Sequence, residues 1–426
     1  INICLFTRNE MLMRSTSYVM AAELARNVKG DPRIKDVIKS ICWTPRDMKE
    51  ILAYHLNTYG KPIPNSMKKG LAAALSKFDE YSLAKYNNKD GAVSLKDIIN
   101  LTHPTPKSPE QGALWKRVLE DKLTTPITWE TELSANGNTE EAWAKVIESG
   151  NLGYMAALRN LRNIAQNASP YLAEVLEQLT DRKNIKKSNQ LGFRYVSAIE
   201  AITDADLDYS TKQTIINNLK TAYNRNIENL PRLEGRTCVL IDASGSMNCL
   251  ISSNSTTSIY DIACLLGGTV GKMSDDVAFY AFGTDFRSLV VDPNNFNPFS
   301  LSAHIGAIRR DISSATYLYK PLEHILNRRE KYDRIIIISD MQAYTDDYCD
   351  CGNLAQSAIN KYRQSVNPNV WIHSLDLAGY GTSAVDLNSK TALLSGWNER
   401  ILKLLPLLET DKNSLLNTLR NYSSQF

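Results

Sequence analysis

The sequence predicts a two-domain chain. Residues 1–231 read as an all-α domain and residues 232–426 as an α/β domain of Rossmann-like type. Three observations carry this. Apolar residues recur at i, i+3 and i+4 through the first half. Short aliphatic strands alternate with amphipathic helices through the second, the grammar of a doubly wound parallel sheet. Pro231 and Gly235 mark the change.

In the first half the helical period covers 11–27, 46–59, 65–78, 109–123, 139–148, 154–167 and 206–229. Gly30-Asp31-Pro32, Gly60-Lys61-Pro62, His103-Pro104-Thr105-Pro106 and Ser169-Pro170 separate the periodic segments. Asn65 and Ser108 stand where helix N-caps belong, the latter followed by Pro109 in the first turn. Arg182-Lys183-Asn184-Ile185-Lys186-Lys187 reads as a solvated basic loop, able to steer RNA electrostatically. Antiparallel helices without strands imply a bundle or an α-solenoid, and no clean repeat period emerges. In the second half 237–241, 277–282, 334–339 and 370–375 are strand-like, and 258–272, 317–329 and 354–362 are helix-like.

Composition narrows the class. An apolar fraction of 43% and a charged fraction of 22% are ordinary for a soluble globular protein. The longest all-aliphatic run, Ile335 to Ile338, is far short of the roughly 18 residues of a membrane span, so no membrane partner is expected. No charged-then-apolar leader opens at Ile1, and no signal peptide is expected. Seven scattered cysteines argue against a disulfide framework and for a reducing, cytoplasmic setting. Cys349-Asp350-Cys351 reads as two free thiols, because a zinc site needs a second pair. Residues 1–231 carry 31 Lys and Arg against 26 Asp and Glu, and residues 232–426 carry 18 against 20. This mild asymmetry permits a nucleic-acid surface on the first half without demanding one.

The sharpest motif is Asp242-Ala243-Ser244-Gly245-Ser246, directly after the apolar run Val239-Leu240-Ile241. In open α/β sheets ligands bind beyond the C-terminal ends of the strands. One carboxylate and two hydroxyls on a tight loop form a hard-oxygen cluster suited to Mg²⁺, with Ca²⁺ or Mn²⁺ also accepted. Two more loops are expected to join it. The 313–316 segment supplies Thr316, and the end of the 334–339 strand supplies Asp340. Asp242, Ser244, Ser246, Thr316 and Asp340 together bring only two carboxylates, so a bound ion stays partly unneutralised and can take an acidic ligand. The alternative is that Asp242 and Ser244 merely cap the following helix. The pattern resembles the metal-ion-dependent adhesion site of von Willebrand factor A domains. That resemblance implies a coordination position left open for a partner's oxygen.

Catalytic patterns fit poorly. A Gly-x-Ser-x-Gly elbow needs glycine where Asp242 stands, and an Asp-x-Asp phosphatase motif needs a carboxylate where Ser244 stands. Gly267-Gly268-Thr269-Val270-Gly271-Lys272 is one residue short of a phosphate loop, ends in Met273 and falls inside a helical segment. The histidines at 55, 103, 304, 324 and 373 show no metal-ligand spacing. A metal-dependent hydrolase needs a general base, and no His or Glu in the named loops supplies one.

Further motifs lie in the first half. Phe78-Asp79-Glu80-Tyr81-Ser82-Leu83-Ala84-Lys85-Tyr86-Asn87 leads to Leu95-Lys96-Asp97-Ile98-Ile99-Asn100-Leu101-Thr102-His103-Pro104. Thr128-Trp129-Glu130-Thr131-Glu132-Leu133-Ser134 and Met155-Ala156-Ala157-Leu158-Arg159-Asn160-Leu161-Arg162-Asn163-Ile164 follow. Taken in this order, ahead of an A-type domain, they resemble the TROVE module of the Ro autoantigen family. The resemblance implies a ring of HEAT-like helix pairs. It also implies a small Y-like RNA on the ring's outer surface and single-stranded ends of misfolded RNA in its hole. Carried over, Lys85, Lys89 and His103 fall where the family contacts Y RNA, as two phosphate contacts and one base contact. One extra residue between Tyr86 and His103, and the short Pro-Thr-Pro after it, depart from the commoner basic version. Arg159 and Arg162 share a helix face. They either grip RNA phosphates in the hole or serve structural ion pairs.

The expectation is therefore a noncatalytic, monomeric RNA-binding protein of noncoding-RNA quality control or ribonucleoprotein scaffolding. The competing reading is a metal-dependent protein-binding adaptor without RNA.

Overall fold

The computed structural model describes residues 1–87, 91–253, 255–291, 297–342, 353–410 and 413–422. The chain packs as two compact units, one of residues 1–152 with 415–426 and one of residues 153–414. This differs from the division at 231 read from the sequence. Periodicity records a change of secondary structure, whereas packing decides which helices share a core.

In the first unit the helices Arg33–Ile41, Pro45–Tyr59 and Asn65–Leu75 bury Ile34, Ile38, Met48, Ile51, Leu52, Met67 and Leu71 in one apolar cluster. Gly70 lets two of them touch, since a Cβ there would lie 2.7 Å from the Cβ of Ile38. Asp47 closes a capping box with Thr44 at the start of Pro45–Tyr59. Its carboxylate is fully buried and accepts from Arg8 Nη2 at 3.2 Å, Arg14 Nη2 at 3.0 Å, the Trp43 and Thr44 amides at 2.7 and 2.8 Å, and the Tyr18 hydroxyl. Distant segments meet in this unit: Asn2 Nδ2 donates to the Arg420 carbonyl at 2.7 Å, and Tyr422 packs edge-on against Phe6.

Several helices here exceed the sequence reading. Asn2–Asn9, Arg33–Ile41, Glu80–Lys85, Leu95–Thr102 and Trp129–Asn136 are short, and one or two turns show too few apolar positions to establish a period. Ser108 is the N-cap expected, accepting from the Gln111 amide at 3.3 Å. Asn65 is not a cap. It is the first helical residue, and Pro64 holds the cap position without a side-chain bond.

The second unit joins the helices Tyr154–Asn167, Leu172–Thr180, Arg182–Ser188, Phe193–Thr203 and Tyr209–Ile227 to a six-stranded sheet. The basic segment expected as a loop is therefore the helix Arg182–Ser188, started by Asp181 accepting from the Asn184 amide at 2.8 Å. The strands are β1 (Leu233–Asp242), β2 (Ser274–Phe282), β3 (Phe286–Leu289), β4 (Arg334–Ser339), β5 (Trp371–Asp376) and β6 (Thr391–Ser395), in the order β3-β2-β1-β4-β5-β6. All neighbours run parallel except β3, which is antiparallel at one edge. The sheet is thus mixed rather than purely parallel. Every residue of β4 is buried, as a central strand covered on both faces requires. The Gly-rich stretch before Met273 lies inside the helix Ile259–Met273, as expected.

Buried polar groups tie the helices to the sheet within this unit. Glu399 takes the Gly192 amide at 3.0 Å, and the Tyr223 hydroxyl meets that of Thr269. Among the described residues no helix is long and apolar enough to cross a membrane. The pair Cys349 and Cys351 lies outside the described residues.

Candidate metal centre and arginine groove

β1 delivers Asp242 to the C-terminal edge of the sheet. Its parallel register sets Asp242 opposite Phe282 and Ile241 opposite Ile338, so Ser339 lies beside Asp242. The Ser339 hydroxyl donates to Asp242 Oδ2 at 2.6 Å. The chain then turns: the Ala243 amide donates to the Phe282 carbonyl at 2.8 Å, and the Ser244 amide to Asp242 Oδ1 at 2.8 Å. Ser244 and Ser246 hydroxyls lie 3.2 Å apart.

The other two loops reach the same edge. Gly283 directly follows β2, and the Tyr317 amide donates to its carbonyl at 2.8 Å, which holds Thr316 there. A side chain at 283 would drive a Cβ to 1.8 Å from the Ile312 carbonyl oxygen, so glycine is required. A Cβ on Gly245 would sit 3.4 Å from the Ser313 carbonyl, so the first two loops touch. Asp340 follows β4, accepts from the Gln342 amide through Oδ1 at 3.1 Å, and precedes Met341 at φ 59°. Asp242, Ser244, Thr316 and Asp340 are buried, and Ser246 is half-buried.

Two features make this edge chemically incomplete. Oδ2 of Asp340 is buried with no hydrogen-bond partner. Asp242 is pushed up to about 6 by burial, with the nearby Asp340 charge adding to it and the Ser339 and Ser244 hydrogen bonds opposing it. Two crowded carboxylates and three hydroxyls are a donor set that fits a hard divalent cation on chemical grounds. Among the described residues no group of three or more His, Cys, Asp and Glu side chains could hold a metal, so the hydroxyls are essential to any such site. The sequence reading missed Ser339 and Arg309. Arg309 donates to the Ala243 and Ser244 carbonyls at 3.0 and 2.9 Å and lies 4.0 Å over the Tyr260 ring, pinning the loop from outside.

A second site lies in the same unit. Arg159 and Arg162, exposed on the helix Tyr154–Asn167, line a cleft of about 550 Å³ with Phe193, Arg194 and Trp397. The Phe193 and Trp397 rings meet edge-on at 4.8 Å, and the Arg194 guanidinium lies 4.5 Å over Phe193. Burial lowers the Arg194 proton affinity, and the adjacent Arg159 charge lowers it further. The cleft therefore gathers Arg159, Arg162 and Arg194 around the Phe193 and Trp397 rings. Its far wall is formed by Ile251, Ser252, Ser255 and Thr256, beyond Ser246. That wall is fixed by the Thr256 hydroxyl donating to Glu200 at 3.0 Å and by Ser197 and Thr257 hydroxyls 2.7 Å apart. Sequence reasoning found the two arginines but not Arg194 or Trp397. Those two stand on distant segments, and only folding brings them together.

The remaining expected contacts are separate. Lys85 ends the helix Glu80–Lys85, is exposed, and lines a cleft of about 520 Å³ with Tyr86, Thr124 and Glu130. His103 is the exposed left-handed cap of Leu95–Thr102 at φ 47°. No described hydrogen bond, ion pair or ring contact joins the two. Lys89 lies outside the described residues.

Two family models match the chain: the TROVE domain over residues 116–246 and the Ro60 vWA domain over residues 236–402. Arg159 and Arg162 fall within the first, whereas Lys85, Lys89 and His103 precede it. Telomerase protein component 1 of Mus musculus is 36% identical over 93 residues, which are 21% of this chain and 4% of that protein. Its Rattus norvegicus counterpart is 34% identical over the same length, again 4% of the relative. The chain thus corresponds to a small part of those relatives. The Deinococcus radiodurans RO (RSR) protein crystal structure is 16% identical, with a TM-score of 0.67 over 94% of this chain and 90% of that one. That likeness shows the fold.

Proposed function

We propose, from the premise that this chain belongs to the TROVE/Ro family, that it is a noncatalytic RNA-binding protein. It takes small structured, Y-like RNA at Lys85, Lys89 and His103 and a single-stranded end of misfolded RNA in the arginine groove. The observation that carries this reading is the groove itself. Arg159, Arg162 and Arg194 offer phosphate contacts, and the paired Phe193 and Trp397 offer an aromatic face for a base. Its setting is a monomer in a reducing cytoplasm, in keeping with Cys4, Cys42, Cys238, Cys249 and Cys264 as free thiols.

At the sheet edge Asp242, Ser244, Ser246, Thr316 and Asp340 would hold Mg²⁺, which supplies a Lewis-acidic point for an acidic side chain of a protein partner. The chain's own groups do the positioning: Ser339 orients Asp242, and Arg309 holds the loop. A second reading, a protein-binding adaptor using this edge without RNA, draws on the orphaned Asp340 oxygen.

Binding measured across a salt series separates the two. RNA affinity should fall steeply with salt, with a slope of about 0.7 per neutralised phosphate for a single strand. Arg159→Ala with Arg162→Ala should weaken a single-stranded RNA by about 2–3 kcal/mol and flatten the slope by one to two. Lys85→Ala, Lys89→Ala and His103→Ala together should cost a structured RNA about 2–4 kcal/mol. Asp242→Ala should leave both affinities intact. RNA binding lost in Asp242→Ala but unchanged in the basic-residue variants would move the RNA to the sheet edge and sink this assignment.

A further inference from the structure

We propose that Glu399 is a positioning residue for the arginine groove: it holds Trp397 against Phe193 and so sets the aromatic floor on which a base of single-stranded RNA stacks. This rests on the RNA reading of that groove and adds the residue that gives the groove a preference for bases over bare phosphates.

The two rings come from separate elements. Phe193 opens the helix Phe193–Thr203, whereas Trp397 stands on the short turn between β6 and the 3-10 helix Glu399–Lys403. Two anchors bracket that turn. On one side Gly396, at φ 124°, bends the chain away from β6, and its amide donates to the Asp376 carbonyl at 2.9 Å. On the other, both carboxylate oxygens of Glu399 accept from the Gly192 amide at 3.0 Å. Gly192 directly precedes Phe193, and Glu399 lies two residues beyond Trp397, so the clamp closes beside both rings. Asn226 Nδ2 braces it, reaching Glu399 Oε1 at 3.5 Å and the Gln190 carbonyl at 3.3 Å. The space is tight: a Cβ on Gly192 would lie 2.7 Å from Tyr223 Cε2 and 3.1 Å from Leu265 Cδ2.

The clamp is geometric rather than ionic. Glu399 is 3% exposed, and burial pushes its carboxyl above the ordinary range, with the Gly192 amide, its own amide, the Arg400 charge and Asn226 opposing. It sits where the helix Phe193–Thr203 starts and leading amides need acceptors. The shift at Arg194 comes from burial and from Arg159, not from Glu399. Glu399 thus places the rings without neutralising the guanidiniums that take phosphates. Of the two rings, Phe193 is buried and Trp397 half-buried. Trp397 therefore offers a base the open surface, and Phe193 backs it edge-on at 4.8 Å.

The test measures binding of the full chain to an unstructured RNA of about ten nucleotides and to an abasic oligomer of the same length, which keeps the phosphates and loses the bases. The wild type should bind the base-bearing strand roughly tenfold tighter, the worth of one stacked base. Glu399→Ala should lose that preference, as should Glu399→Asp, whose carboxylate is one methylene short of the Gly192 amide. Both should bind the abasic strand like the wild type, with an unchanged salt slope. Glu399→Gln, which keeps an acceptor at the same reach, should restore the preference. Trp397→Ala should also lose it, and Glu399→Asp combined with Trp397→Ala should lose no more than either alone. A merely structural Glu399 would lower the melting temperature and leave the base preference of the folded protein untouched. The proposal falls if the wild type binds both strands equally, if Glu399→Asp keeps the preference, if Glu399→Gln fails to restore it, or if the two losses add. A wild type that binds neither strand refutes the groove itself, whereas a base preference that survives in Glu399→Asp refutes the role of Glu399 alone.

Discussion

Asp47 and Asp340 are both fully buried, yet they sit in opposite circumstances. Asp47 accepts from two arginines, two amides and a tyrosine hydroxyl. Asp340 has one amide on Oδ1 and nothing on Oδ2, with the Asp242 carboxyl close by. Burying a charge is costly unless hydrogen bonds and counter-charges answer it. In the first case the chain answers the charge itself, and the carboxylate is part of the scaffold. In the second it does not, and one carboxylate oxygen stays unanswered. Satisfaction, rather than burial, separates the two acids.

The largest expected effect tests the first half of this contrast. Asp47→Ala leaves the buried Arg8 uncompensated and should cost about 3–5 kcal/mol of unfolding free energy. A denaturant titration showing a loss below ~1 kcal/mol would mean that Asp47 is no more structural than Asp340. Added Mg²⁺ tests the second half. At a hundred times its dissociation constant it should stabilise the wild type by about 2.7 kcal/mol and leave Asp340→Asn unaffected. Equal stabilisation of both proteins would place the ion elsewhere. Next, Asp340→Asn without metal should change stability by no more than about 1 kcal/mol. Removing one of two crowded carboxylates costs little and relieves repulsion.

Acid gives the smallest and finest test. Burial pushes Asp47 up, but the Tyr18 hydroxyl, the Arg8 and Arg14 charges and the Thr44 amide outweigh it, and its carboxyl ends below the ordinary carboxylate range. A carboxyl whose folded pKa is depressed stabilises above its unfolded pKa, about 3.9 for Asp. That contribution is lost as pH falls through the lower folded value. The stability gap between wild type and Asp47→Asn should therefore be constant above about pH 5 and close in stronger acid. A gap that widens on acidification would reverse the sign and remove Asp47 from the comparison.

How much of this was legible in the sequence follows from the same physics. Asp242, Ser244, Ser246 and Asp340 could be placed because each is tied to the end of an apolar strand, and strand ends are readable. Their partner Ser339 was hidden only by its ordinary residue type. Arg309 opens the single-turn 3-10 helix Arg309–Asp311, too short for any periodicity to mark. Short edge strands such as β3 and β6 carry too few residues to alternate visibly. The grouping of residues 153–231 with the sheet rests on contacts such as Gly192 to Glu399, which lie 207 positions apart. Nothing local encodes such a pairing.

The meeting of residues 2–6 with 420–422 sets a clock on the birth of the molecule. The first helix cannot take its final neighbours until the ribosome has made more than four hundred further residues. At ordinary synthesis speeds of about 5–20 residues per second, that is a wait of roughly 20–80 s. Through that interval Asn2 and Phe6 lack their partners, the Arg420 carbonyl and the Tyr422 ring. A chain stalled before residue 415 should show faster amide hydrogen exchange in the helix Asn2–Asn9 than one that has reached residue 422.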